Sequence, residues 1–251
     1  MKSFLHRIVI KKMESLRVCT LFLLCALAFG LLMPPSPSAV TAPAPQDDLT
    51  GLTVAIDPGH GGYDGGARAH DSGRWEKDIN LDIALLVAQE LRFRGAKTVL
   101  TRESDVDLAG GDTSGKARKR ADLQKRLDIA AGAGADVFVS IHLNEYRDRS
   151  QSGPQVFYQR GADAGRLLAG ALQEKLIEGL CPARERKAMA GDYYVLRGKL
   201  PSALVECGFL SNAEEEKKLL APDYQRRVAA AIANGVAHWW KLASSWPSKD
   251  L

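Results

Sequence analysis

The 251-residue sequence is poor in three features that would each define a class of protein. Only two of its four cysteines, Cys181 and Cys207, lie outside the apolar N-terminal segment, and two cysteines do not make a disulfide framework. The sequence leaves open whether Cys181 and Cys207 form a disulfide or remain free. The formal net charge is only +4, which is too small to indicate a nucleic-acid partner. No internal repeat or second folded region is visible, which favours a single domain.

Long hydrophobic runs are also scarce, and the clear one lies near the N-terminus. Basic residues precede an apolar run of sixteen residues, Val18–Met33. This pattern predicts either a signal peptide or a short membrane anchor within residues 1–33, and both imply export of the rest of the chain. Residues 34–49 are rich in proline and are predicted to form a semi-extended linker. The predicted domain covers residues 50–245, and residues 246–251 are a tail.

The predicted domain alternates apolar runs of strand length with segments of helical periodicity. A buried strand at 53–56, a helix over 76–94 and a strand at 97–101 form a βαβ unit, which indicates an α/β fold with a parallel sheet. Further strands are predicted at 137–141, 155–158, 193–196 and 203–205. Further helices are predicted from 123 to 132 or 134, over 163–180, after a capping box formed by Asn212 and Glu215, and over 222–241.

Residues 103–120 show no apolar periodicity and end in the basic run Lys116–Arg120. The simpler interpretation is a solvated loop that leads into the following helix. The alternative is an insert that contacts substrate, because a basic segment attracts an anionic polymer.

Ionisable residues follow or end three predicted strands: His60, His142 and Glu206. If these strands are parallel neighbours, the three side chains meet at one sheet edge, where Glu76 also begins a helix. Two imidazoles and one carboxylate with an open position are the ligands of a catalytic zinc site, and a second carboxylate is a candidate general base. Taken singly, each residue also has a structural interpretation, as a turn, core, helix-dipole or ion-pair residue. The glycines around His60 match no phosphate-loop pattern.

Five motifs occur in an order that resembles the zinc-dependent N-acetylmuramoyl-L-alanine amidases (amidase type 3) of bacterial cell walls. The resemblance covers about residues 52–240. The motifs are Asp57-Pro-Gly-His60-Gly-Gly, Glu76-Lys77-Asp78-x-Asn80, Thr101-Arg102, Ser140-Ile-His142-x-Asn144 and Pro201-x-x-Leu204-Val-Glu206-x-Gly-Phe-Leu-Ser-Asn212.

The resemblance implies a mixed, mainly parallel sheet flanked by helices on both faces. It also implies one Zn²⁺ per chain, bound by His60, Glu76 and His142, with Glu206 as the catalytic carboxylate. The implied reaction is hydrolysis of the amide between N-acetylmuramic acid and L-alanine of the stem peptide in peptidoglycan. Candidates for contacting substrate are Asn144, Arg102, Lys116 and Arg118.

A narrower resemblance rests on the insert, where Asp105-x-Asp107-Leu108-Ala109 precedes the basic run. It is similar to the germination-specific amidases of spore formers, which implies a role in the cortex and a location outside the cytoplasm, such as the forespore intermembrane space. The interval from His142 to Glu206 is too short for a blocking helix. The need for an activating partner protein stays open. The alternatives are another zinc peptidoglycan hydrolase, such as a peptidase or deacetylase, and a non-catalytic wall-binding protein.

Overall fold

The structure is a computed structural model, and it describes residues 47–110 and 114–245. The predicted leader or anchor, most of the predicted linker and the predicted C-terminal tail lie outside these residues. Leu49, the last residue of the predicted linker, is buried, and its N–H donates to the carbonyl of Arg94 at 2.8 Å. Within the two described ranges, no helix is both long enough and apolar enough to cross a bilayer.

The described residues form six strands, five α-helices and one short 3-10 helix around a single sheet. The strand order is β2-β1-β3-β6-β4-β5, and only the β4–β6 pair is antiparallel. The predicted single α/β domain with a mixed, mainly parallel sheet is therefore confirmed. In chain order the elements are β1 (Thr53–Pro58), α1 (Glu76–Phe93), β2 (Lys97–Leu100), α2 (Gly115–Gly132), β3 (Val137–Asn144), β4 (Gln155–Gln159), α3 (Asp163–Leu180), β5 (Met189–Gly191), the 3-10 helix (Tyr194–Leu196), β6 (Ser202–Phe209), α4 (Ala213–Leu219) and α5 (Pro222–Ser244).

Both faces of the sheet are buried, which explains why the central strands are continuously apolar. In β1, Val54 and Ile56 belong to the large core that includes residues of α1, α3 and α5. Ala55 points to the opposite face, where it joins Phe138 and Leu204 in a smaller core beneath α2 and the 3-10 helix. Because successive side chains of a strand point to opposite faces of the sheet, the apolar run of β1 contributes to both cores.

The predicted loop over residues 103–120 is wrong in its second half, because α2 begins at Gly115. The basic run therefore lies on the first turns of this helix. Most side chains of these turns are exposed and polar, so they give no apolar periodicity from which a helix can be predicted. Residues 111–113, inside the predicted insert, lie outside the described residues.

The strand predicted at 193–196 is also wrong. Residues 194–196 form the 3-10 helix, and the strand that pairs with β4 is Met189–Gly191. Val195 and Leu196 are buried, and a short buried apolar run does not by itself distinguish a strand from a helical turn.

Only half of the predicted capping box forms. The side chain of Asn212 accepts from the N–H groups of Glu214 and Glu215, as an N-cap residue should. The carboxylate of Glu215 does not return to Asn212, and accepts instead from the N–H groups of Phe209 and Gly153. Glu215 thus fixes the end of β6 and the loop before β4.

The two cysteines of the domain are free thiols, and they are not equally buried. Cys207 is buried in the large core, whereas Cys181 is exposed at the end of α3. Of the two, only Cys207 is therefore a buried thiol.

Candidate metal centre and active site

His60 lies on the loop after β1, in a backbone conformation that few residues other than glycine adopt. Its φ angle is 63°, in the left-handed region. The side chain of Arg126 of α2 holds this loop, because it donates to the carbonyls of Pro58 at 2.8 Å and His60 at 2.6 Å. A buried cation therefore positions the backbone on both sides of the turn.

The charge of Arg126 is balanced by two carboxylates, which explains how it can be buried at 1% exposure. Its guanidinium contacts Asp57 and Asp122 at 2.7 Å each. Burial alone would raise the pKa of Asp57, but Arg126 and hydrogen bonds from Ser140 and Thr101 hold this pKa below its usual value. The Asp57 carboxylate thus joins β1 and β3 to α2 directly beneath the His60 loop.

Glu76 is the first residue of α1, and its carboxylate is buried at the same sheet edge. Oε1 accepts from the N–H of Leu143 and from the side chain of Asn80, both at 3.1 Å, and Oε2 accepts from the N–H of Ala67 at 2.9 Å. Burial alone would raise the pKa of Glu76, but His142 and His60 hold it well below its usual value. The carboxylate is therefore ionised and fixed from three directions.

His60, Glu76 and His142 offer ligand atoms that all lie within 4.8 Å of one another. Nε2 of His60 and Nδ1 of His142 lie 3.2 Å and 3.0 Å from the same atom, Oε1 of Glu76. Two imidazole nitrogens that converge on one carboxylate oxygen form a set of donors suited to a cation such as Zn²⁺. The residues present therefore fit the metal that the sequence predicts.

Two glycines allow these side chains to approach the loop. A Cβ at Gly59 would lie 2.2 Å from the His142 ring, and a Cβ at Gly66 would lie 2.5 Å from Oε2 of Glu76. Both distances are far shorter than a van der Waals contact, so any other residue would displace a candidate ligand. Gly66 also has a φ of 69°, which favours glycine independently.

Glu206 lies next to His142 on the neighbouring strand β6, and the two are paired in register. The predicted end of the strand at Glu206 is wrong, because β6 continues to Phe209. Its Oε2 is buried and has no hydrogen-bond partner within the described part of the chain. Burial, together with the charge of Glu76, raises the pKa of Glu206 to about 8. A rigid strand thus places a free carboxylate oxygen beside the candidate metal ligands.

Asp64 is a member of the site that the sequence did not single out. Its Oδ1 lies 3.0 Å from Nδ1 of His60, and its Oδ2 lies 3.2 Å from Nζ of Lys119. A carboxylate on the outer nitrogen of a ligating histidine fixes the ring and its tautomer. The spacing His60–Asp64 is a signal that could have suggested this role, although the loop between them has no regular geometry.

The four candidate substrate contacts occupy different places. Asn144 lines the cavity in front of the ligands, which has a volume of about 350 Å³. Arg102 is buried and donates to the carbonyls of Pro58, Gly59, Ser104 and Lys77, so it supports the loop from inside. Arg118 pairs with Asp107 at 2.7 Å and lies over the ring of Tyr63. Lys116 is exposed at the start of α2.

The domain has larger grooves, and one of about 720 Å³ adjoins this cavity at Glu145, whereas others lie elsewhere. One of about 820 Å³ is lined by Phe138 and Ser202, which begin the paired segments of β3 and β6, far from the ends that hold His142 and Glu206. Among the described residues that line it, no set of metal ligands converges. The small, polar cavity at the other sheet edge is therefore the candidate active site.

Comparison with known proteins gives the same assignment as the geometry. The family model described as N-acetylmuramoyl-L-alanine amidase matches residues 54–238. The chain belongs to this family. The match includes His60, Glu76, His142 and Glu206, so the amidase domain and the candidate site coincide.

Individual amidases agree with the family assignment. The chain is 38% identical over 194 residues to the germination-specific N-acetylmuramoyl-L-alanine amidase of Bacillus subtilis, covering 76% of this chain and 81% of that protein. It is 35% identical over 210 residues to the amidase LytC of Bacillus subtilis, covering 82% of this chain and 39% of that protein. The CwlD amidase of Clostridioides difficile, solved in complex with the GerS lipoprotein, superposes with a TM-score of 0.73 at 34% identity, covering 76% of this chain and 99% of that chain. The chain is thus a peptidoglycan amidase.

Without metal, the folded amidase is expected to lose stability as the pH rises from about 5 to about 9. The raised pKa of Glu206, about 8 against an ordinary 4.5, means that the folded state keeps a proton that the unfolded state has lost. Burial alone would lower the pKa of His60, but Asp64 and Glu76 raise it to about 9, and this stabilisation is lost as the pH rises through that value. Thermal unfolding of chelator-treated protein at several pH values measures the effect. A melting temperature independent of pH would contradict it. Glu206→Gln should remove the contribution of Glu206, which is lost between about pH 4.5 and 8, and leave that of His60, which is lost between about pH 6.5 and 9.

Proposed function

We propose that the chain is a zinc-dependent amidase that cleaves the bond between N-acetylmuramic acid and L-alanine, and that it acts outside the cytoplasm on spore cortex peptidoglycan. The ligands in this proposal are His60, Glu76 and His142, and the general base is Glu206. The observation that carries the proposal is the convergence of three ligand atoms within 4.8 Å, with the unpartnered oxygen of Glu206 beside them.

The chain's own residues account for the steps of proton transfer. A bound zinc ion supplies Lewis-acid polarisation of the lactyl carbonyl and lowers the pKa of water towards about 7. Glu206 accepts a proton from the attacking water and passes it to the alanine nitrogen as that group leaves. Asp64 lies beside Nδ1 of His60, and Asn80 and Leu143 hold the carboxylate of Glu76 by hydrogen bonds, so this carboxylate needs no rearrangement before the reaction.

One digestion experiment tests both the metal and the bond that is cleaved. The purified protein is expected to contain about one zinc per chain by elemental analysis, and a chelator is expected to abolish activity that added zinc restores. Mass spectrometry of digested peptidoglycan should find intact stem peptides with a free amine on L-alanine. Full activity in a metal-free preparation would contradict the metal assignment. A peptidase would cleave within the stem peptide and a deacetylase would release acetate, so either product would favour the alternative hydrolases.

The role in the spore cortex and the location are supported by relatives. The Bacillus subtilis relative is named as germination-specific, and the apolar run Val18–Met33 is predicted to direct export. Digestion of cortex peptidoglycan should therefore give muramic acid residues that lack peptides, the form from which muramic δ-lactam is made. The CwlD neighbour was solved in complex with a lipoprotein, which supports the proposal that this amidase also binds a lipoprotein partner.

A further inference from the structure

Of the basic run at the start of α2, it is Lys119 that lines the cavity of the active site. The neighbouring Arg118 pairs with Asp107 on the adjoining loop, and Arg120 lies over the ring of Tyr194. Within the described residues, Lys119 is the one lysine or arginine among those that line this cavity. The helix therefore delivers a single ammonium group to the site.

The ammonium group of Lys119 is held near the metal ligands but remains free to bind a further anion. Nζ lies 3.2 Å from Oδ2 of Asp64, whose Oδ1 lies 3.0 Å from Nδ1 of His60. The side chain is 55% exposed, and an ammonium has three N–H donors, of which Asp64 takes one. Two donors thus remain for a further acceptor.

The other ionisable groups that line the cavity are two histidines and four carboxylates. The carboxylates of Asp64, Glu76, Glu145 and Glu206 offer no attraction to an anionic group, and a metal ion held by His60, Glu76 and His142 would bind the carbonyl to be cleaved. An anionic group on the substrate is therefore favoured at Lys119 above other positions on the wall of the cavity.

Taking the proposed amidase function as given, we propose that Lys119 binds the free α-carboxylate of the second stem-peptide residue. This residue is a D-glutamate joined to the chain through its γ-carboxyl, so its α-carboxylate is free unless it is amidated. A single carboxylate separates Lys119 from His60, and an extended peptide advances only about 3.5 Å per residue. The second residue thus brings its charge within reach of Nζ while the amide before the first residue lies at the ligands. Lys119 then determines whether amidated stem peptides are accepted.

The test compares two substrates that differ in this one group. They are N-acetylmuramoyl-L-alanyl-γ-D-glutamyl-L-lysine and its α-carboxamide, which has D-isoglutamine at the second position. The full-length wild type is expected to cleave the carboxylate form with a kcat/KM about tenfold to hundredfold higher, the range for a hydrogen bond between charged groups. Lys119→Met should abolish this preference by slowing cleavage of the carboxylate form alone. Lys125→Met, which removes an exposed charge further along α2, should keep the preference.

Three other outcomes would each overturn the proposal. Equal rates of the wild type on the two substrates, or a preference that survives Lys119→Met, would show that the carboxylate is bound elsewhere. Equal losses on both substrates with lowered zinc content would show that Lys119 acts only through Asp64 and His60.

A binding measurement separates this proposal from the proposed function. Calorimetry with the tripeptide L-alanyl-γ-D-glutamyl-L-lysine and its α-carboxamide gives the same comparison without turnover. Suppose that neither muramoyl substrate is cleaved, but the tripeptide binds more tightly than its α-carboxamide and Lys119→Met removes this difference. The proposed cleavage reaction is then wrong, and the proposed carboxylate site at Lys119 is supported. If the muramoyl substrates are cleaved and the two peptides bind equally, the proposed cleavage reaction is supported and the proposed carboxylate site at Lys119 is wrong.

Discussion

Glu206→Gln is expected to lower kcat by ~10²–10⁴-fold, the range that proton transfer by a positioned side chain contributes. The amide keeps the size and hydrogen-bonding capacity of the carboxylate but loses its basicity. Zinc content should not change, because the proposed ligand atoms belong to His60, Glu76 and His142. The melting temperature should stay within a few degrees, which corresponds to about 1 kcal/mol in a domain of this size.

The geometry makes this a test of mechanism rather than of folding. Glu206 is held by the backbone pairing of β6 with β3 and β4, which a side-chain amide leaves intact. Its Oε2 has no hydrogen-bond partner in residues 47–110 and 114–245, so the substitution breaks no observed contact of that atom. Glu103→Gln, the same change at an exposed position, is the matched control and should leave kcat unchanged.

Two results would contradict the assignment. A kcat close to that of the wild type would remove Glu206 from the mechanism. Loss of zinc on substitution would make Glu206 a ligand, and Glu76 would then return to the structural interpretation of a residue that favours the N-terminus of a helix.

The parts of the site that the sequence could predict are those fixed by a strand or helix with a clear period. His142 follows a continuous apolar run, and Glu76 begins a helix whose apolar residues recur at helical spacing, so both could be placed at the sheet edge. The glycines around His60 indicate a loop that side chains approach closely. The apolar run before Glu206 also predicts a position next to this edge, although the strand continues for three further residues.

The parts that could not be predicted depend on tertiary contacts between segments far apart in sequence. Asp64 and Lys119 meet only because α2 packs against the loop after β1, and their spacing in sequence carries no signal of that contact. Arg126 could be read as an exposed helical residue, since nothing local indicates that Asp57 and Asp122 would surround it. Arg102 is predicted as a contact to substrate for the same reason, whereas its donors are used by backbone carbonyls. A single sequence therefore does not determine which polar side chains, far apart along the chain, contact each other in the fold.

Arg126→Met is expected to lower the free energy of unfolding by about 3–5 kcal/mol, the usual cost of removing one partner of a buried ion pair. The substitution leaves Asp57 buried at 1% exposure without its cation, with only the hydroxyls of Thr101 and Ser140 as donors. It also removes the Arg126 donor from the carbonyl of His60, while the carbonyl of Pro58 keeps its hydrogen bond from Arg102. At about 2–4 °C per kcal/mol, the melting temperature should fall by roughly 6–20 °C. Lys125→Met, one residue earlier on the exposed side of α2, should change it little.

The effect of Arg126 should extend to the proposed metal ligands, and a double variant separates the effect of the buried charge from that of the contact to His60. Because Arg126 Nη2 donates to the carbonyl of His60 at 2.6 Å, its loss should loosen the left-handed turn and weaken zinc binding, measured by competition with a chromogenic chelator. Asp57→Asn combined with Arg126→Met removes both charges, so it should recover part of the stability lost in Arg126→Met alone. Zinc affinity should not recover with it, since the donor to His60 is still missing. Full recovery of both would show that the buried charge, and not the anchor on His60, is all that Arg126 provides.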